Sequence, residues 1–261
     1  EAAELVFSCC AAVYLNGAGP GFNKFCADRM LRAAMIENNN AAACVFSNSD
    51  VIVAVVRGTD DLLDWKDNFS CRKRAYIGAG KVSSGFGAYF GRIRRALIAE
   101  ITAEFKRRPR PVYIGGHSLG ATSAVYLTIA LCDSGIPFEL CAICGGPRPG
   151  DKEFCAYADD LLAGRLIQLR RKGDCVPCVP PYLAGYRHLK SHLAYIDVFG
   201  KFRLNLSAFW QLANRTAAIA GAHVSLGGLR MGRIVIKEDH SADAYAEDVR
   251  RTLGSASKNA T

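Results

Sequence analysis

Residues 112–131 read Val112-Tyr-Ile-Gly-Gly-His-Ser118-Leu-Gly-Ala-Thr-Ser-Ala-Val-Tyr-Leu-Thr-Ile-Ala-Leu131. A β-rich apolar run, Val112 to Ile114, meets a glycine pair and then Gly116-His117-Ser118-Leu119-Gly120. An apolar stretch long enough for a helix follows, from Leu119 to about Leu131. This is the strand–turn–helix context that a G-x-S-x-G nucleophile elbow demands. The serine sits on a sharp turn, and Gly116 and Gly120, lacking Cβ atoms, let strand and helix pack closely on either side. The helix N-terminus then points its positive end at the Ser118 hydroxyl. The pentapeptide alone is a weak signal. Its flanks make it informative, against the bland alternative of a surface serine in a Gly-rich loop.

Working outward, Val51-Ile-Val-Ala-Val-Val56 is a continuous β-branched run, the mark of a central strand buried on both faces. It ends in Arg57-Gly58-Thr59. A loop leaving such a strand beside an elbow is where an oxyanion hole is completed. The backbone N–H of Leu119, just after the serine, supplies one donor, and Thr59 is the natural second. Downstream, Leu140 to Cys144 reads as another buried strand, ending in Gly145-Gly-Pro-Arg-Pro-Gly150. A helix from Lys152 to Leu162 and a strand from Arg165 to Arg170 follow. Upstream, the reading is an opening helix (Ala2 to Leu15), a loop, a second helix near Asp28 to Glu37, a strand at Ala43 to Phe46 and a long helix from Ala88 to Lys106. This alternation predicts an α/β fold: a doubly wound, mostly parallel central sheet with helices on both faces and sites at the strands' carboxyl ends. No repeat or interdomain linker is visible, so residues 1–261 read as a single domain, with a frayed tail at 255–261.

A serine hydroxyl needs a histidine to take its proton and a carboxylate to orient that histidine. In this architecture the order is Ser, then Asp or Glu, then His. Asp174 lies in the loop after the strand ending at Arg170, on the same rim as Ser118. Asp151, Asp159 and Asp160 fall on or beside a helix start, where N-capping explains them. Asp197, at the end of a short strand, is the runner-up. Five histidines exist. His117 precedes the serine and is turned away from it by the elbow. His240, after the strand-like Ile234-Val-Ile236 and before a helical stretch, is the favoured base. His223, in a Gly-rich loop, is second, while His188 and His192 suit local hydrogen bonding.

Half of the 261 residues are hydrophobic, enough for one sizeable core. No run reaches 18 uncharged apolar residues, so no membrane span is expected; no signal peptide is visible either, so one was removed or there never was one. The net charge of +9 favours an anionic interface such as acidic lipid, or plain solubility. The basic clusters, Arg72–Arg74 among them, are scattered and lack interleaved aromatics, which argues against nucleic acid. Eleven cysteines suggest disulfides and an oxidising compartment, and four N-x-S/T sequons add mild support for secretion. Cys141-x-x-Cys144 and Cys175-x-x-Cys178 resemble paired metal knuckles, but in a strand positions three apart face opposite ways. No metal is therefore expected.

These separated motifs resemble the class 3 lipases, the family of the secreted fungal triacylglycerol lipases. The matches are Val56-Arg-Gly-Thr59 with Asp64-Trp-Lys-Asp-Asn68, Ser84-Gly-Phe86, Gly116-His-Ser-Leu-Gly120, Gly145-Gly-Pro-Arg-Pro-Gly150, Asp174 to Pro181, Gly185-Tyr-Arg-His188, and Asp239-His240 with Tyr245 downstream. The resemblance covers about residues 40–250. It implies an α/β-hydrolase-like fold and the triad Ser118, Asp174 and His240, with Thr59 and Leu119 as oxyanion donors. It also implies hydrolysis of lipid carboxylic esters at an interface, without metal or cofactor. Ala121 replaces a glycine common in relatives, and Cys175 and Cys178 stand where apolar residues are usual, as a local clamp. Fungal relatives cover the site with a short helical lid. Here the corresponding stretch, Asp60 to Trp65, carries Leu62, Leu63 and Trp65. Phospholipid, galactolipid or aryl esters are alternative substrates, and a non-catalytic lipase-like binder is a remote one.

Overall fold

A computed structural model describes residues 1–15, 19–59, 72–76, 79–190, 193–197, 201–204, 207, 210, 211, 213, 216 and 240–258. The helices are α1 (Ala2–Ala12), α2 (Pro20–Asp28), α3 (Ser84–Arg107), α4 (Leu119–Asp133), α5 (Lys152–Leu161) and α6 (Ala242–Lys258). The strands are β1 (Arg32–Asn38), β2 (Ala41–Ser47), β3 (Ile52–Val56), β4 (Lys73–Ala75), β5 (Lys81–Ser83), β6 (Val112–His117), β7 (Leu140–Cys144), β8 (Leu166–Arg171), β9 (Leu193–Ile196) and β10 (Phe202–Leu204).

Eight strands form one sheet in the order β1-β2-β3-β6-β7-β8-β9-β10, and β4 and β5 form a separate pair. From β3 to β9 the neighbours run parallel; β1, β2 and β10 add antiparallel margins. The five β3 side chains are all buried, as a β-branched run between two helical layers requires. One core cluster unites α3, α4 and α5 with one sheet face; the other unites α1, α2 and α6 with the opposite face. Helix α4 is buried along its length from Leu119 to Leu131. Each fully buried Leu, Ile or Val in that helix stabilises the fold by about 1.5–3 kcal/mol.

Residues 32–38 form a strand, where the helix near Asp28 to Glu37 was expected. The real second helix lies earlier, with Pro20 at its first turn. The reason is a two-residue hairpin. Asn38 pairs with Ala41, and the loop residues Asn39 and Asn40 have φ of 47° and 64°. Asparagine tolerates this left-handed backbone, which tight hairpins need at both loop positions.

Cysteine usage also differs from expectation. No disulfide joins any of the ten described cysteines. Most are packed into the core as small apolar side chains. Cys141 lies in one core cluster and Cys144 in the other, as the strand alternation required. Cys175 precedes and Cys178 ends a single 3-10 turn, and no disulfide joins them into a clamp.

Candidate active site

Register brings the site together. Val56 on β3 pairs with Gly116 on β6, and His117 pairs with Cys144 on β7. The carboxyl ends of these strands therefore meet at one edge, and β8 delivers Asp174 three residues beyond its end. Ser118 N–H donates to the Cys144 carbonyl at 3.0 Å, tying the elbow to the next strand.

Ser118 adopts φ 60°, ψ −131° as the N-cap of α4. A non-glycine residue in that region carries about 1–3 kcal/mol of strain, held by its surroundings. The surroundings are tight. A Cβ added to Gly120 would lie 2.0 Å from the Val56 carbonyl oxygen, so only glycine lets the helix approach β3. Ser118 is 1% exposed, and its hydroxyl makes no hydrogen bond among the described residues.

Asp174 is wholly buried. Its Oδ1 accepts from Val176 N–H at 2.9 Å, and its Oδ2 faces His240 Nδ1 at 2.9 Å. A carboxylate only accepts, so His240 Nδ1 carries a proton, and in the neutral imidazole Nε2 is left with its lone pair. The loop bearing Asp174 is pinned by Arg148, whose Nη1 donates to the carbonyls of Pro180, at 2.8 Å, and Cys178. Arg148 belongs to the Gly145–Gly150 stretch that leaves β7. Leu119 opens α4 and is buried, so its N–H belongs to the helix's first turn. Gly58 and Thr59 run on from β3 beside the elbow; a Cβ at Gly58 would lie 2.8 Å from Ser118 Cβ.

The family described as Lipase (class 3) matches residues 53–184, just over half of the chain. The chain belongs to the class 3 lipase family. It is 27% identical over 166 residues to a lipase from Rhizomucor miehei, a match covering 60% of this chain and 45% of that protein. It is 30% identical over 141 residues to the secreted mono- and diacylglycerol lipase 1 of Fusarium solani, covering 52% and 41% respectively. The chain thus spans less than half the length of these two relatives. A solved structure of MDLA from Penicillium cyclopium superposes with a TM-score of 0.71 at 17% identity, over 93% of this chain and 96% of that one, a likeness of fold.

Within this family member, three expected site residues, Ser118, Asp174 and His240, are buried at one sheet edge, with Asp174 and His240 in contact. Asp197 goes elsewhere: just past β9, its carboxylate accepts from Lys201 N–H and from Arg203 Nε. The expected lid, with Leu62, Leu63 and Trp65, lies outside the described residues, as do His192 and His223. Among the described residues no group of three His, Cys, Asp or Glu side chains could hold a metal ion.

Two tyrosines enter the site without having been singled out as site residues. Tyr245 on α6 donates to Asp174 Oδ2 at 2.6 Å and accepts from Arg171 N–H at 3.1 Å. Tyr14, just past α1, lies between Gly58 N–H, at 2.9 Å, and His117 Nδ1, at 2.8 Å. His117 Nε2 in turn lies 2.5 Å from the His240 carbonyl oxygen. Burial pushes His117 well below the usual histidine range, and the neighbouring His240 adds to that shift. Burial likewise pushes Tyr14 well above the usual tyrosine value, so it stays a protonated hydroxyl.

Proposed function

We propose that the chain hydrolyses carboxylic esters of lipids through an acyl-enzyme on Ser118. The observation that carries this reading is the Asp174–His240 bond at 2.9 Å beside a serine in a strained elbow. Ser118 Oγ attacks the ester carbonyl carbon while its proton passes to His240 Nε2. The oxyanion that forms is met by the N–H of Leu119 and by Thr59. Collapse breaks the carbon–oxygen bond, and the imidazolium returns its proton to the departing alcohol. Water then enters by the same route: its oxygen attacks the acyl carbon while its proton passes to His240, and collapse breaks the bond to Ser118 Oγ, which takes that proton back as the fatty acid leaves. Asp174 holds the tautomer and stabilises the imidazolium throughout.

Acylglycerols are the substrate class this reading favours, since the named relatives are a lipase and secreted mono- and diacylglycerol lipases. The same names support a secreted protein. A lipid surface is the partner, supported by the net charge of +9 and by exposed Tyr182 and Leu183 beside Lys73 and Arg187. A fluorophosphonate should label the native protein, and Ser118→Ala should abolish both labelling and p-nitrophenyl butyrate hydrolysis with the fold intact. Labelling that persists in the variant overturns the assignment.

A further inference from the structure

Resting on that reading, we infer that Tyr14 and His117 are positioning residues, a buried relay that ties the oxyanion strand to the backbone of the base. Tyr14 is bonded to two chain segments remote in sequence, and His117 carries the path on to a third. Gly58, 44 residues on, ends the run that carries Thr59; His117, 103 residues on, precedes the nucleophile; and His117 spans a further 123 residues to His240.

The donor and acceptor roles along this path are all determined. Gly58 N–H can only donate, so Tyr14 Oη accepts from it at 2.9 Å. The His240 carbonyl can only accept, so His117 Nε2 carries the proton in their 2.5 Å contact. A neutral imidazole has one N–H, which leaves His117 Nδ1 as an acceptor, and the Tyr14 hydroxyl donates into it at 2.8 Å. The path runs one way: Gly58 N–H to Tyr14, Tyr14 O–H to His117, His117 Nε2–H to His240. Burial pushes the pKa of His117 down and so favours the neutral imidazole that this path requires.

The consequence is geometric. Thr59, Ser118 and His240 must be placed within tenths of an ångström for nucleophile, base and oxyanion donors to act on one carbonyl. They stand on three separate segments, and this relay joins the residue before Thr59, the residue before Ser118 and the peptide of His240 itself. The ring of His117 also lies against that of His240, centroids 4.6 Å apart and planes inclined by 39°, which limits movement of the base. Neither Tyr14 nor His117 needs to touch substrate, so their loss should act on turnover and leave binding alone.

The test uses the full chain, p-nitrophenyl butyrate, and a fluorophosphonate titration that counts competent sites so that misfolded protein drops out of kcat. Tyr14→Phe should lower kcat per titrated site about 10- to 100-fold, with KM within about twofold. His117→Asn, which keeps a polar atom near the Nδ1 position but cannot reach the His240 carbonyl, should do the same. The double variant should be no slower than the slower single, because both remove one path. Wild-type turnover in Tyr14→Phe, or multiplying effects in the double variant, overturns the relay. Should Tyr14→Phe fail to fold, nitrogen-15 spectra of the wild type read the tautomer directly: His117 protonated on Nε2 supports the relay, and a proton on Nδ1 overturns it. That spectrum tests the relay even if Ser118→Ala shows the hydrolytic reading to be wrong.

Discussion

Tyr245 donates its hydroxyl to Asp174 Oδ2 at 2.6 Å, the same oxygen that faces His240 Nδ1. Burial holds the Tyr245 hydroxyl well above its usual pKa, and the Asp174 charge reinforces this, so it remains a donor. Tyr245→Phe removes a charge-assisted bond from a carboxylate with no solvent to replace it. Stability should fall by about 1.5–3 kcal/mol, seen in denaturant unfolding, and ester turnover should fall with it. Unfolding at the wild-type midpoint would mean that Val176 and His240 suffice to hold the acid.

Asp174→Asn separates charge from shape. The Val176 N–H bond survives, since an amide oxygen still accepts, but the anion that sets the His240 tautomer is gone. In the proposed mechanism kcat should drop about 10⁴-fold. A loss under tenfold, measured on a soluble ester, contradicts Asp174 as the acid.

The elbow was legible because its physics is local: two glycines, one strand and one helix specify it within residues 112–131. Asp174 and His240 were legible through chain order, and the structure joins them across 66 residues. Tyr14 was not legible. It lies just past an apolar helix, and its partner His117 lies 103 residues away, so nothing near it marks a role. Strand β1 was misread because Arg32-Ala-Ala-Met-Ile-Glu37 favours helix locally, and pairing with β2 overrides that preference. Its one local signal was the run of asparagines at 38–40. The cysteine count was misleading because a count carries no position: Cys141 and Cys144 face opposite cores.

That hairpin yields a stability prediction. Asn39 and Asn40 both have positive φ. Asn40→Val puts a β-branched side chain where it clashes with its own backbone, and should cost about 1–2 kcal/mol, or a few degrees in Tm. Asn40→Gly should melt no lower than the wild type. A valine variant that melts unchanged would mean that the turn rearranges freely.

Glu104 predicts how stability responds to acid. Its buried carboxylate meets Arg110 Nη2 and Arg107 Nη2, each at 2.6 Å, and also Arg32. Burial alone would raise its pKa, but the bonds from Arg110 and Ser47 and the charges of Arg107 and Arg32 outweigh it, and the net shift is downward from 4.5. A depressed carboxylate pKa stabilises the fold above the unfolded value, and that contribution disappears as pH falls through the folded value. Glu104→Gln should therefore cost about 3 kcal/mol at pH 7, chiefly from the buried Arg110 left uncompensated, and less once pH has fallen through the folded value. Equal costs on both sides of that value would contradict this.

The 3-10 turn Tyr182–Ala184 holds Leu183 98% exposed and Tyr182 58% exposed. It is a built turn: Arg187 stacks 3.6 Å from the Tyr182 ring centre and donates to the Tyr182 carbonyl at 3.0 Å. Lys73 stands 4.8 Å from the Tyr186 ring, and β4 carries Arg74 next to it. Exposed apolar area costs about 25 cal/mol per Å² in water, a cost relieved when the side chain enters a lipid interface. Each basic group adds about 1 kcal/mol of attraction at an anionic membrane. Ser118→Ala protein should therefore sediment with vesicles containing phosphatidylglycerol better than with pure phosphatidylcholine. Adding Leu183→Asp should weaken both associations several-fold, while Lys73→Glu should erase the preference for the anionic lipid alone. Leu183→Asp in the active chain should slow hydrolysis of emulsified ester more than that of a soluble short-chain ester. If vesicle binding ignores both substitutions, the turn is a solvated edge and the lipid surface meets the protein elsewhere.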